Sequence, residues 1–371
     1  MPQFSLRHSQ LIEFDNSAAG HEGVLSDKSG DFIVKPCKQA EIDFYDTTAS
    51  HPYFARFIPT YYGRLKLQGE RNTTLAANSL PIPMLSDHEP ADVSLVLSTI
   101  TADPTWVPTG GGQIDTDEAV ALENVAAGFQ KPNILDVKLG ARLWADDAPP
   151  AKRAKLDKVA EETTSRTLGL RIAGMKTWLG PAAAGKGGAK QDGYRTYGKS
   201  YGKNLKANEI YQGFRSYFLT ENAGVTKILA KKVINRFIRD LEDFQDMLER
   251  EESRMYSSSL LFIYEGDGNA LEEAINEELN GERRPLEAAN GMHMGADNEE
   301  ESDESEDYKD EHSEDEDEDE DGEEVQWPKV QVVKLIDFAH ASWTPGQGPD
   351  LNLLHGVKNL IQIFGDLVAD L

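Results

Sequence analysis

The stretch Pro132-Asn133-Ile134-Leu135-Asp136-Val137-Lys138-Leu139-Gly140 sets a condition that any fold of this chain has to meet. Ile134, Leu135, Val137 and Leu139 predict a short, mostly buried strand. Asp136 and Lys138 lie inside it, two residues apart, so the period of a strand puts both side chains on one face. Burying an acid and a base is costly unless they are paired or put to use. Taken alone, the strand fits a structural ion pair as well as a chemical site. Pro132 stiffens its start, and Gly140 permits a turn or a close contact at its end.

Charge narrows what such a site can serve. The 371-residue chain carries a net charge of −27, yet Asp297 to Glu324 alone holds 20 acidic residues and Lys309, or −19, leaving −8 for the rest. Like charges at that density repel, with too little apolar surface to fold. The sequence therefore predicts an acidic low-complexity insertion over about 267–326, disordered over about 290–325. It reads as a spacer, as a segment phosphorylated at Ser302, Ser305 or Ser313, or as a docking segment for basic partners. An acidic chain is a poor general binder of nucleic acid, so no direct nucleic-acid contact is expected, and any phosphate site needs a local basic pocket. The single cysteine, Cys37, excludes an internal disulfide and fits a reducing compartment. Leu11-Ile12 runs at once into Glu13 and Asp15, and no apolar run approaches a membrane span. Neither a signal peptide nor a transmembrane segment is expected.

Gly23-Val24-Leu25 and Asp31-Phe32-Ile33-Val34-Lys35 flank a Gly-containing turn and predict a hairpin that ends at Lys35. Residues 38–49 predict a short helix with Ala40, Phe44 and Tyr45 on one face and Glu41 as a partner for Lys35 or as a solvated acid. Tyr61 to Leu65 suggests an edge strand. Residues 66–116 read as long loops in which only Val93 to Leu97 is strand-like and Trp106 is a local anchor. Ala119 to Leu122 predicts a strand running into Glu123-Asn124-Val125. Lys152, Arg153, Lys155 and Lys158 make a basic helix, with Lys155 and Lys158 on one face. Thr167 to Trp178 is strand-like. Val225 to Glu252 predicts a core helix on Ile228, Leu229, Val233, Phe237, Leu241, Phe244 and Leu248, and Asp350 to Leu371 closes the chain as an amphipathic helix. Between them, Val330 to Phe338 is a strong strand, and a carboxylate at its end, Asp337, can hold Mg2+.

Three motifs in order carry a family resemblance. Pro132, Asp136, Lys138 and Gly140 resemble the PxxxDxKxG signature of the inositol polyphosphate kinases. Ser257-Ser258-Ser259-Leu260-Leu261 resembles their SSLL strand, and Leu335-Ile336-Asp337-Phe338-Ala339-His340 their IDF metal motif. The likeness spans roughly residues 20–371 and is nearest to the fungal multikinase branch. It implies an α+β, two-lobed, kinase-like fold: a small antiparallel-sheet N-lobe at 1–122, a hinge at 123–131, and a larger α+β C-lobe at 132–371 interrupted by the acidic insertion. It implies ATP and Mg2+ as cofactors, with Lys35 on the ATP phosphates, the segment from Gly20 to Gly23 near them, and the backbone of Glu123 and Val125 on the adenine edge. Asp136 is assigned to the ribose or to the attacking hydroxyl, Lys138 to the acceptor or the γ-phosphate, Ser259 to the phosphate–metal cluster and Asp337 to the metal. An inositol-phosphate pocket at about 150–178 is implied, with Lys155, Lys158, Lys176 and His340 as substrate contacts. The substrate implied is inositol 1,4,5-trisphosphate, taken to tetrakis- and pentakisphosphate, with a phosphoinositide lipid as a further substrate. The absent GxGxxG and HRD motifs count against a protein kinase. A non-catalytic nuclear protein, acting in transcription complexes through its acidic segment, is the alternative. Nucleus and cytoplasm are the expected compartments.

Overall fold

Two sheets, each antiparallel almost throughout, organise the chain in a computed structural model that describes residues 4–7, 11–14, 23–68, 116–186, 188–190, 192–291 and 329–371. The smaller lobe holds β1 (Phe4–Arg7), β2 (Leu11–Glu13), β3 (Leu25–Asp27), β4 (Phe32–Pro36), α1 (Gln39–Thr47), α2 (Pro52–Ala55), β5 (Tyr61–Gln68) and β6 (Glu118–Glu123). Its sheet order is β1-β5-β6-β4-β3-β2, with β1 parallel to β5 and the other pairs antiparallel. The hairpin ending at Lys35 is present as β3 and β4. Tyr61 to Leu65 is not on an edge, because β1 and β6 flank β5. In α1 the buried face is Glu41, Ile42, Phe44 and Tyr45, while Ala40 is exposed.

The larger lobe runs β7 (Pro132–Leu139), α3 (Pro150–Glu162), α4 (Ser165–Leu168), β8 (Leu170–Trp178), β9 (Tyr194–Tyr197), α5 (Lys199–Asn204), α6 (Ile210–Phe218), α7 (Lys227–Arg250), β10 (Ser253–Met255), β11 (Ser259–Glu265), α8 (Gly268–Gly291), β12 (Gln331–Ile336), β13 (Ala341–Trp343) and α9 (Leu351–Asp370). Its five-stranded sheet is ordered β12-β11-β7-β8-β9, so the strand carrying Asp136 and Lys138 is central. One face of this sheet is core: Leu135, Val137, Leu139, Ile172, Met175, Leu260, Phe262 and Leu335 pack with α7 and α9 residues such as Phe237, Phe244, Leu360 and Phe364. Full burial of such side chains contributes about 1.5–3 kcal/mol each. Thr226 caps α7 by accepting from the Leu229 amide, and Asp350 caps α9 by accepting from those of Asn352 and Leu353. Ile228, placed on the core face by sequence, is 70% exposed, and α7 begins beside it.

Two local features matter for the site. Gly140 has φ +96°, and a Cβ there would lie 2.5 Å from the Asn352 side chain, whose Oδ1 accepts from the amides of Ala141 and Arg142. Where β7 pairs with β8, Asp136 faces Gly174 but Val137 faces Ile172, leaving Ala173 as a bulge.

The expected insertion starts too early. Gly268 begins α8, and Leu271, Ala274 and Ile275 are buried in the main core, so an apolar stripe holds this part on the lobe despite its acids. Val93 to Leu97, Trp106, residues 20–22 and the stretch beyond 291 up to 328 lie outside the described residues. Among the described residues no helix is long and apolar enough to cross a membrane.

Candidate active site

The face of the larger sheet opposite the core changes character along its length. Cross-strand neighbours share a face, so Ile134 pairs with Ile263, Asp136 with Leu261, and Lys138 with Ser259. At one end Ile134 and Ile263 pack with Val125 and Ala126, and Phe129, Leu261 and Val332 border them. That end lies under the segment following β6. At the other end the face is charged.

There the Lys138 ammonium donates to the Ser259 hydroxyl at 3.1 Å, to the Ser257 carbonyl at 3.1 Å and to Asp337 Oδ2 at 3.2 Å. Asp337 Oδ1 accepts from Lys35 Nζ, contributed by the smaller sheet, at 2.8 Å. Lys35 also donates to Glu41 Oε1 at 2.7 Å, and the same oxygen accepts from the Phe338 amide at 3.1 Å. A chain of alternating charge, Glu41–Lys35–Asp337–Lys138, thus joins the two lobes. Burial by itself would lower the Lys35 pKa, but Asp337 and Glu41 outweigh it and hold it well above the ordinary value, so the lysine stays charged.

The backbone is bent to make this possible. Ser257 and Asp337 are the non-glycine residues with positive φ among the described residues, at +61° and +70°. Each such conformation costs about 1–3 kcal/mol and clusters at functional sites. Both residues touch Lys138. Phe338 anchors the second of them, its ring stacked on Phe44 at 4.9 Å and edge-on to Tyr45 at 5.1 Å. Helix α1 therefore supplies both Glu41 and the aromatic seat that aims Asp337.

The other sequence candidates fall as follows. Glu123 ends β6, and its carboxylate accepts from the Thr60 amide at 3.2 Å and hydroxyl at 3.0 Å. Burial would raise its pKa, but the Thr60 hydrogen bonds, with Lys334 and Lys329, lower it below the ordinary value. Val125 is buried in the apolar group just beyond. Asp136 is buried on the site face. His340 Nε2 lies 3.1 Å from Lys152 Nζ, and the His340 pKa is lowered, first by burial and then by the Lys152 ammonium. Lys155 and Lys158 are both exposed on α3, where Lys158 lies 3.8 Å from Glu162. Lys176 is buried with its ammonium 4.5 Å above the Tyr194 ring. It pairs with Ile134, four residues from Lys138 and roughly 13 Å along the strand, so it stands at the apolar end.

The fold brings here two residues to which the sequence reading gave no individual role. Arg171 is 8% exposed and pairs directly with Lys138. Lys152, named only as part of the basic helix, is the one that reaches His340. A period-two count carried back from Lys176 puts Arg171 on the core face, and only the bulge reverses this. A separate cavity of about 350 Å³ near Leu179, Arg215 and Thr220 contains none of these groups.

Residues 119–365 match the family described as inositol polyphosphate kinase. The chain is 30% identical to the inositol polyphosphate multikinase of Saccharomyces cerevisiae over 94% of its length and 96% of the relative's. It is 27% identical to that of Schizosaccharomyces pombe over 97% and 99%. The solved S. cerevisiae inositol phosphate multikinase, in complex with ADP and Mn2+, superposes with a TM-score of 0.56 at 26% identity, over 91% of this chain and 99% of that one.

Proposed function

Because the chain belongs to the inositol polyphosphate kinase family, we propose that it transfers the γ-phosphoryl group of Mg-ATP to hydroxyls of soluble inositol polyphosphates, taking inositol 1,4,5-trisphosphate to the tetrakis- and pentakisphosphates. The observation that carries the reading is the Asp337 carboxylate held between Lys35 and Lys138, at the charged end of a face whose other end is apolar. The base of the nucleotide suits the apolar end, against Val125 and below Glu123. Its phosphates suit the charged end.

Phosphoryl transfer asks a protein mainly for positioning and charge neutralisation. Lys35 binds the nucleotide phosphates, and Lys138 stands between the γ-phosphate and the acceptor, steadied by Ser259. Asp337 would hold a divalent cation, which would supply neutralisation of phosphate charge. The residues fit such an ion: one well-placed carboxylate, with no cluster of three or more acidic, His or Cys side chains among the described residues, suits Mg2+ completed by phosphate oxygens and water. Asp136 accepts a hydrogen bond from the ribose or the proton of the attacking hydroxyl. That hydroxyl oxygen forms the new bond to phosphorus as the bond to the β,γ-bridging oxygen breaks, and ADP leaves. Lys152 and His340 meet the acceptor phosphates from α3 and the end of the IDF motif, with Lys155 and Lys158 at the rim.

The test is product identification by mass spectrometry and NMR after incubating the purified protein with Mg-ATP and defined inositol phosphates, with phosphatidylinositol 4,5-bisphosphate vesicles as a parallel arm. Tetrakis- and pentakisphosphate formed with matching ADP support the reading. Phosphorylation of the lipid alone, or of neither, overturns the soluble-substrate assignment.

A further inference from the structure

The segment that follows Asp337 is tied at both ends to one ring of the smaller lobe. The Phe44 ring of α1 stacks on Phe338, at 4.9 Å between centroids and 26° between planes, and on Trp343, at 4.9 Å and 18°. The His51 ring, at the start of α2, stacks on the same indole at 3.5 Å and 8°. The rings therefore run Phe338–Phe44–Trp343–His51 and alternate between the larger lobe and the smaller one. Polar bonds fix the outer pair at their edges. Trp343 Nε1 donates to Thr47 Oγ1 at 2.9 Å, and His51 Nδ1 lies 2.7 Å from Glu251 Oε2, at the end of α7.

Volume filling does not account for this set. Trp343 and His51 are only partly buried, at the seam between the lobes. An aliphatic side chain would cover the same apolar surface, whereas near-parallel rings with bonded edges also fix orientation. What they hold is strained. Asp337 has φ +70°, a conformation that persists only where its surroundings over-determine it. Its neighbour Phe338 is held by the stack on Phe44 and by its amide bond to Glu41. The Phe338 carbonyl accepts from the Ala341 amide at 3.1 Å, and the His340 carbonyl from that of Tyr256 at 3.1 Å, so the chain turns tightly through His340. Trp343 then returns to Phe44 and closes this turn on the helix that carries Glu41.

We propose that Trp343 is a positioning residue of the transfer site: stacked on Phe44 and His51 and bonded to Thr47, it locks residues 338–343 onto α1, and so keeps Asp337 between Lys35 and Lys138 and His340 in its place. His51 acts through the indole. The proposal rests on the transfer reading above for what Asp337 and His340 are positioned to do, and Trp343 touches neither reactant.

Steady-state kinetics on the full chain, with Mg-ATP and inositol trisphosphate, compare wild type, Trp343→Leu, Trp343→Phe, His51→Leu and Phe364→Leu, the last a core substitution on the far face of the larger sheet. Trp343→Leu is expected to lower kcat by about 10- to 100-fold, since small misplacements at a reacting centre have effects of that size. Trp343→Phe keeps a stacking ring and recovers most of the loss, and His51→Leu loses less than Trp343→Leu. Phe364→Leu lowers the melting temperature at least as much but leaves kcat near that of wild type. A wild-type kcat in Trp343→Leu, or an equal loss in Phe364→Leu, overturns the proposal. Hydrogen exchange of the unliganded protein supplies a readout independent of turnover. Exchange of the Phe338 amide is expected to speed up by about tenfold or more in Trp343→Leu, while amides in the middle of β7 and β11 keep their wild-type rates. A Phe338 rate that is unchanged, or that changes only together with β7 and β11, overturns the proposal. A wild type that leaves the trisphosphate untouched, with the Phe338 amide still responding to Trp343→Leu, condemns the transfer reading and leaves the lock standing.

Discussion

The two halves of the site face of the larger sheet share strands and register, but they are built on opposite principles. The half under the hinge segment is apolar: Ile134 and Ile263 are buried against Val125 and Ala126, and Leu261 and Val332 form the border. Its contacts are non-directional. The other half, one or two rows further along the same strands, holds Lys138, Ser259 and Asp337 in hydrogen bonds and an ion pair, with Arg171 buried beside them. Its principal partner, Lys35, lies 302 residues from Asp337 in the chain. The apolar half can vary in side-chain detail while volume is kept. The charged half depends on individual atoms, and on two strained backbone positions that hold them.

The largest expected effect strikes the charged half alone. Lys138→Ala should lower kcat by about 10²–10³-fold, the range seen when one preorganised electrostatic group is removed, with a much smaller change in the KM for ATP. A variant that merely raises that KM at unchanged kcat would erase the proposed division of labour. Leu261→Gln should do the reverse in the apolar half, raising the KM for ATP about tenfold through lost apolar contact while kcat stays within a few-fold of wild type. Activity against the same inositol phosphate measures both.

A smaller, pH-dependent effect sharpens the charged half. His340 has its pKa lowered from 6.5 by burial and by Lys152, so in the free protein it is neutral above that value. An acceptor phosphate favours the protonated ring. The KM for the acceptor should therefore fall a few-fold between about pH 8 and about pH 6, and His340→Gln should flatten the dependence. Stability moves the other way. A depressed folded-state pKa means that the unfolded chain binds the proton more readily, so His340's contribution is present above the ordinary value and is lost as pH falls through the folded one. Thermal melts of the unliganded protein across that window check this sign.

Much of the frame was legible in the sequence, and for identifiable reasons. Strands β7, β11 and β12 are dense in apolar residues, and α7 and α9 repeat them at helical spacing, so their type and approximate limits could be read. Three motifs named the charged groups. What periodicity could not convey was pairing across the molecule: nothing in the spacing of Lys35, Glu41 and Asp337 shows that one carboxylate oxygen of Glu41 serves both Lys35 and the Phe338 amide. Arg171 was read only as one residue of the strand-like stretch Thr167 to Trp178 and given no role, because a bulge reverses alternation without any sequence signal as plain as a glycine turn. The start of α8 was misread because its acids outnumber Leu271, Ala274 and Ile275, although those few side chains decide where it packs.

Asp337, with a lysine on either side, makes the unliganded molecule electrically self-contained at the spot where the most charge has to be admitted. A nucleotide that takes over both ammonium groups strips this carboxylate of its counter-charges and leaves it facing a polyphosphate. On the proposed reading, a divalent cation held at Asp337 would supply the missing counter-charge. Discrimination against bare nucleotide would then reside in a single side chain, with no need of a separate gate.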